Sequence, residues 1–441
     1  MARLSKHQQN ALPALILTSI TLALYGAIFL IEFFPPEHTG TNYITVHIIA
    51  TALMLAVWRW NKFSVKAIVI AGIAARLLMF AAPDLTSNDM ERYLWDGAVA
   101  AEGFDPYVVS PDNEDVSHLR DIWPTPIEHE KYATIYPPAS LALFALSASA
   151  GPTLGPWIWK AIATLAGIGA LFVMAHVLAR RGSTRHLPLF ALSPLLILET
   201  GVGGHVDTFS VLAVAAAIFA IDRGRWFLVG TILGLGAAIK YLPIVLIGPL
   251  VLANSPKTAM KILLGLCGAL GLIYALTFWA GLTPIGIVGI FFEKWRFGSP
   301  IYSALETMFS DNALHVLLAI FAVSMLAIAA IAAHQKRLIF AMTLTLATPL
   351  LLSPVVFPWY LMALVPLVAL KPSATLLAWL SAAPLGYVVL NNWVANGIWE
   401  PAQWTLWAIA AAVVIGLFAD IRVYLFNARQ PTLGATIATL K

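Results

Sequence analysis

Three carboxylates, Asp89, Glu91 and Asp96, fall within eight residues in the stretch SNDMERYLWDG (87–97). A positioned carboxylate can take a proton from a hydroxyl group in the course of a reaction. Asn88, with Glu91 three residues on, has the pattern of an N-cap and its capping-box partner, so the spacing predicts a helix opening near Asp89. Gly103 and Pro106 would close it. On that helix Asp89, Tyr93 and Asp96 share a face at i, i+4 and i+7, and Glu91 lies on another. Acids here could also simply solvate the helix or cap its dipole. Their neighbours favour binding: Tyr93, Trp95, Phe104, Tyr107, Trp123, Tyr132 and Tyr136 follow in one loop. Carboxylates mixed with aromatic faces suit a sugar or a lipid headgroup.

Cationic chemistry lies farther along. Lys240, in GAAIKYLPIVLIGP, interrupts an apolar helix near its end, and Pro243 breaks that helix just after it. An ammonium in a low-dielectric setting can hold a phosphate. Lys294 and Arg296 flank Trp295 in FFEKWRFGSPIY, a segment that could equally be an interfacial anchor. The tight outward turn GGHVD places His205 and Asp207 between apolar runs, more polar groups than a helix cap needs, although a cap or a buried hydrogen bond for Asp207 would also serve. Two such residues are weak evidence for a metal without a third ligand. Arg76, Lys160 and Glu199 also fall within or at the ends of apolar runs, where ionisable groups are costly and tend to be functional. Snorkelling or structural pairing would serve for Arg76 and Lys160. Trp359 and Tyr360 in SPVVFPWY have the look of an aromatic belt.

The elements that position these groups are membrane helices. Of 441 residues, 60% are hydrophobic and 11% charged, where a soluble domain carries roughly a quarter charged. Apolar runs recur along the chain, and one of about 20 residues spans the hydrocarbon core. The sequence therefore predicts an all-α polytopic membrane protein with about 12–14 transmembrane helices. The net charge of +4 is small and scattered, which argues against nucleic acid as a partner. A single cysteine, Cys267, excludes an internal disulfide. The run from Leu12 to Ile31 is long enough to be an uncleaved first helix rather than a signal peptide.

Basic loops (MARLSK, 59–66, 179–186, 222–226, 255–261, 334–337 and 420–429) mark the cytoplasmic side. Segment 84–135 holds twelve of the twenty-two Asp and Glu but three Lys or Arg, and so faces the other side. Segments 137–150, 157–178 and 187–200 all look like spans, and parity closes if 137–150 is a partly inserted helix, begun by Pro137 or Pro138, that does not cross. Both termini are then cytoplasmic. The expected organisation is two N-terminal helices (1–64), a core (65–370) that includes the outer loop 83–135, and C-terminal helices with a cytoplasmic tail (371–441).

Taken in order, SNDMERYLWDG with EGFDPY, YPPASLALF, GHVD, AAIKYLP, KWRFGSPIY and SPVVFPWY resemble the membrane-embedded glycosyltransferases of the C superfamily (GT-C). The nearest likeness is to bacterial polyprenyl-phosphate-mannose mannosyltransferases and the eukaryotic enzyme that adds the first mannose of the membrane glycolipid anchor. The resemblance covers residues 66 to about 366, with the first two helices ahead of it. It implies a GT-C helical bundle in the plasma (inner) membrane, with its active site on the extracytoplasmic side. It further implies an inverting transfer of a sugar, here expected to be mannose, from a polyprenyl-phosphate donor to a glycolipid or glycan acceptor. The family's outer loop carries an acidic motif, often Asp-x-Asp, whose leading Asp is the base; that position is Asp89. Asp89 also lies among the first acids after the third span, close to the membrane surface. The expected substrate-binding set is Glu91, Arg92, Tyr93, Asp96, Tyr136, His205, Asp207, Lys240, Lys294, Arg296, Trp359 and Tyr360.

Two departures stand out. The second acid is Glu91 rather than Asp, so we expect no cofactor, or at most a weakly required divalent cation. Phe357 stands where several relatives have His. The residues fit the chemistry on their own terms: one carboxylate suffices for inversion, and cations such as Lys240 with Arg296 or Lys294 would steady the departing phosphate. The competing reading is a transporter or flippase of a lipid-linked saccharide, which would also have many spans and broken helices. The outer loop's carboxylates and the lack of a clear internal repeat argue against it.

Overall fold

A computed structural model of the protein describes residues 6–124, 130–284, 286 and 288–429. The first residues of the expected basic N-terminal segment and residues 125–129 of the acidic loop lie outside that set. The described residues contain no strand; one isolated parallel bridge joins Phe297 and Val355.

Helix α1 (Lys6–Gly26) runs on as a tighter 3-10 turn to Phe33. α2 (Thr39–Trp60) stops where Asn61 turns left-handed at φ 48°. α3 (Val65–Phe80) is capped by Ser64, whose hydroxyl accepts from the Ala67 amide. The acidic helix predicted at 87–97 is α4 (Asp89–Ala101), and Gly103 follows it at φ +85°. Asn88 is its N-cap residue but makes no side-chain cap bond, so the expected capping box is not formed. α5 (Pro138–Ala148) begins at Pro138 and has 11 residues, too few to cross a membrane alone. α6 (Gly151–Arg180) is the longest helix, at 30 residues.

Next come α7 (Pro188–Ala191), α8 (Pro194–Gly201), α9 (Thr208–Asp222) and α10 (Trp226–Ile239). After them run α11 (Ile247–Leu252), α12 (Pro256–Trp279), α13 (Val288–Lys294), α14 (Pro300–Met308), α15 (Asp311–His334) and α16 (Leu338–Leu352). The chain closes with α17 (Val365–Leu370), α18 (Ala374–Ala382), α19 (Val389–Asn396) and α20 (Gln403–Arg429).

The protein is an all-α, multi-pass membrane protein. Among the described residues, seven helical segments are long and apolar enough to cross a bilayer: Leu12–Phe33, Pro36–Trp60, Gly151–Arg180, Pro256–Trp279, Asp311–His334, Ala374–Asn396 and Gln403–Phe426. Other apolar runs form shorter helices, among them α5, α9, α10 and α16. Hydropathy counts both kinds as spans because it does not register what a side chain faces. Segment 187–200 shows why: every residue from 187 to 208 is buried, and Pro188 and Ser193–Pro194 break the run into α7 and α8. This stretch is the centre of the bundle and not a lipid-facing span.

Small residues let the helices approach. A Cβ at Gly230 would overlap the Ile262 backbone, and one at Gly265 would overlap that of Phe227, so α10 and α12 cross with their backbones nearly touching. Gly97 does the same for α4 against Phe144 of α5. That contact fixes the acidic helix on the bundle. At the far end, Asp420 of α20 accepts from Ser373 and Thr375 hydroxyls and from the Ala374 and Thr375 amides, tying the last helix to the start of α18.

Candidate active site

A cavity of about 490 Å³ opens beside the start of α4. Its walls come from residues 84–92, from 132–136, from Lys240 at the end of α10, from 291–297 after the start of α13, from 357–360 and from α19. Segments far apart in sequence therefore meet at one place.

Asp89 is the first residue of α4 and lines the cavity. Unsatisfied amides and the positive end of the helix dipole stabilise a carboxylate there. Its Oδ2 accepts from the Tyr93 hydroxyl at 3.2 Å, one turn on. Behind it His205 lies fully buried, with Nδ1 3.3 Å from Asp89 Oδ2 and Nε2 3.2 Å from Glu199 Oε2. Both contacts are ion pairs rather than well-aligned hydrogen bonds. Glu199, fully buried on α8, also accepts from Tyr43 of α2 at 3.1 Å and from Tyr387 at 2.8 Å. The turn 202–207, between membrane helices, has room for this ring because of its glycines. A Cβ at Gly203 would overlap the imidazole, and Gly204 adopts φ +58° while its carbonyl accepts from Trp159 Nε1.

Burial by itself lowers an imidazole's pKa, but the contacts with Asp89 and Glu199 outweigh it and raise His205 from 6.5 to about 9. The ring is thus an imidazolium at neutral pH. Burial pushes the Tyr93 and Tyr136 hydroxyls well above their ordinary range, so both remain donors. Asp84, also on the cavity wall, is raised by burial even though Lys160 Nζ lies 2.8 Å from it.

Lys240 caps the end of α10 in extended conformation, where Gly236 and Pro243 pack together. Its ammonium pairs with Asp207 at 3.1 Å and lies over the Tyr360 ring at 4.8 Å. Trp359 is no belt residue: it is 3% exposed, stacks on His205 at 3.8 Å and on Phe357 at 4.4 Å. Phe357, the residue that departs from the family pattern, thus extends a stacked aromatic row rather than placing an imidazole.

The structure brings Asp89, Glu91, Arg92, Tyr136, Lys240, Arg296, Trp359 and Tyr360 onto one cavity. Five other expected binding residues stand off its lining. Tyr93, His205 and Asp207 form the layer behind, each buried and occupied by an ionic or hydrogen-bonded partner. Asp96 is turned into α4's own packing, paired with Arg92 at 2.9 Å. Lys294 donates to the hydroxyl of Tyr132 at 3.2 Å and lies over its ring at 5.2 Å. Arg296 is on the wall but is held by Glu306 at 2.9 Å. Sequence reasoning assigned no role to Trp295, Trp393 and Trp399 on the cavity wall, nor to Tyr43 and Tyr387 behind it. Glu199 was conspicuous as an acid inside an apolar run, but its partners come from helices that spacing cannot relate.

Residues 22–255, more than half of the chain, match the family model described as alpha-(1->6)-mannopyranosyltransferase, N-terminal domain. The chain belongs to this family of GT-C mannosyltransferases. No curated protein matches it. The matched region of this mannosyltransferase holds Asp89, His205, Asp207 and Lys240. The remaining walls, from Phe291 to Trp399, are supplied by the part of the chain that follows.

Proposed function

We propose that this mannosyltransferase takes mannose from a polyprenyl-phosphate donor and passes it to a hydroxyl of a glycolipid or glycan acceptor on the extracytoplasmic face. One observation carries the reading: Asp89 and Lys240 line the same cavity, among aromatic faces that suit a sugar ring. In the reaction Asp89 takes the acceptor's O–H proton as its oxygen attacks C1 of the sugar. The bond from C1 to the phosphate oxygen breaks, the anomeric configuration inverts, and polyprenyl phosphate leaves with the bonding electrons. Lys240 and Arg296 meet the growing phosphate charge. Tyr136 and Tyr360 offer aromatic faces to the sugar, while Trp359, whose own faces stack on His205 and Phe357, can meet it only by its edge. The family and the membrane helices support the mannosyl and membrane parts of this reading. The short Lys/Arg-rich loops on the opposite side of the spans support the extracytoplasmic placement of the outer loop.

Purified protein incubated with polyprenyl-phosphate mannose and a membrane glycolipid extract should consume the donor and yield mannosylated product. Transbilayer movement of intact donor without cleavage would instead mark a carrier.

A further inference from the structure

Asp89 is one end of a buried chain of charged groups. Its Oδ2 faces His205 Nδ1 at 3.3 Å, and the other ring nitrogen faces Glu199 at 3.2 Å. The tyrosines of α2 and of the segment before α19 close the far side of Glu199. None of His205, Glu199, Tyr43 and Tyr387 lines the cavity, so none is placed to touch a substrate. A buried imidazole between two carboxylates is costly to build unless it is charged. Here the backbone is also shaped for the ring, through Gly203, and Trp359 covers its face.

We propose that His205 and Glu199 are positioning residues for Asp89: a buried imidazolium bridges the two carboxylates and holds the outer one ionised and oriented toward the cavity. This rests on the reading of Asp89 as the base. His205 keeps its proton throughout; the acceptor's proton goes to Asp89 and leaves from there with product release. The triad converts from a net charge of −1 to neutral in that step. Glu199 acts one place farther back, keeping His205 charged. Long contacts of this kind tighten when a substrate closes the site.

The other charged and titratable groups facing His205 are Asp84, which is paired with Lys160, Asp207, which is paired with Lys240, and Tyr93 through Asp89. Each pair is internally balanced, which leaves Asp89 and Glu199 as the anions that answer the ring.

The test is the pH profile of His205→Gln and Glu199→Gln, with Asp89→Asn in the same preparations. Removing the cation beside Asp89 raises the pKa of that carboxyl. His205→Gln should therefore lower kcat about ten- to a hundredfold, the scale seen when an orienting partner is lost, with donor KM unchanged and the acid limb moved to higher pH. Glu199→Gln keeps an acceptor for a tyrosine but removes the anion that charges His205. Its alkaline limb should move to lower pH. If both variants kept wild-type kcat and both pH limbs while Asp89→Asn was inactive, the positioning role would be overturned and the base would stand. An active Asp89→Asn would remove the base reading itself. Should His205→Gln fail to fold, an unmoved alkaline limb in Glu199→Gln alone overturns the proposal, and a moved one supports it.

Discussion

Lys240 Nζ sits 3.1 Å from the buried Asp207 carboxylate, so the cation on the cavity wall is already half-answered before any phosphate arrives. The pairing makes the ammonium tolerable at that depth and leaves its remaining N–H donors for a ligand. A charge-assisted contact to phosphate contributes about 1.5–3 kcal/mol, on the order of ten- to a hundredfold in donor affinity. Lys240→Ala alone also strands Asp207 as an unpaired buried charge. The double variant Lys240→Ala/Asp207→Asn should fold better than the single one and still bind donor weakly. Unchanged donor KM in the double variant would move the phosphate site elsewhere.

Asp89→Asn keeps size and most hydrogen bonds but cannot take a proton. Turnover should fall by at least ~10²-fold, the usual scale for losing a base, while donor binding survives. Asp96→Asn should act differently, because Asp96 faces Arg92 inside α4: thermal stability falls more than turnover does. Full activity in Asp89→Asn with a dead but folded Asp96→Asn would mean the base has been misplaced.

Turnover should persist in chelator, weakened at most modestly. Glu91 stands where the family often has Asp, and among the described residues no three His, Cys, Asp or Glu gather around one point. Asp89, His205 and Glu199 form a line instead. Complete loss of activity in chelator, restored by manganese or magnesium, would count decisively against this.

The fold raises His205 from 6.5 to about 9, so folding favours its proton. The stability this supplies is complete below pH 6.5 and is lost as pH rises through about 9. The melting temperature of the detergent-solubilised protein should drop across that window. In His205→Gln the drop should be smaller, and an identical slope in the two proteins would show that another group titrates there.

The orientation can be checked with cysteines at Asn113 and Ser183 in a chain whose own Cys267 has been replaced. An impermeant thiol reagent applied to intact cells should label Asn113→Cys and not Ser183→Cys. The reverse pattern would invert the topology and put the cavity on the cytoplasmic face.

Composition and local spacing made several of these elements legible. The acidic helix starts at Asp89 and ends short of Gly103 as predicted, because the polar first turn and the glycine are local signals, although the expected capping box is not made. Lys240 terminates α10 just before Pro243, which is also local. What could not be read was depth. His205 looked like a residue on an outward turn, yet it is sealed under Trp359, a contact between segments more than 150 residues apart. Asp96 shares a face with Asp89 by spacing and is expected to bind substrate, but a guanidinium one turn away claims it. Segment 187–200 looked like a span because burial against protein and burial in lipid select the same side chains.

Tyr43 and Tyr387 converge on Glu199 from 156 residues before it and 188 after it. A chain is synthesised from its N-terminus, and contacts of such separation can form only when the later partner exists. A nascent chain that has inserted α1 to α12 already carries Asp89, His205 and Lys240. It has neither the indole that covers the imidazole nor the second phenol that completes its support. On the proposed mechanism, catalytic competence therefore arrives late in biogenesis, with the segments after α16, and a product truncated before them is expected to be inert.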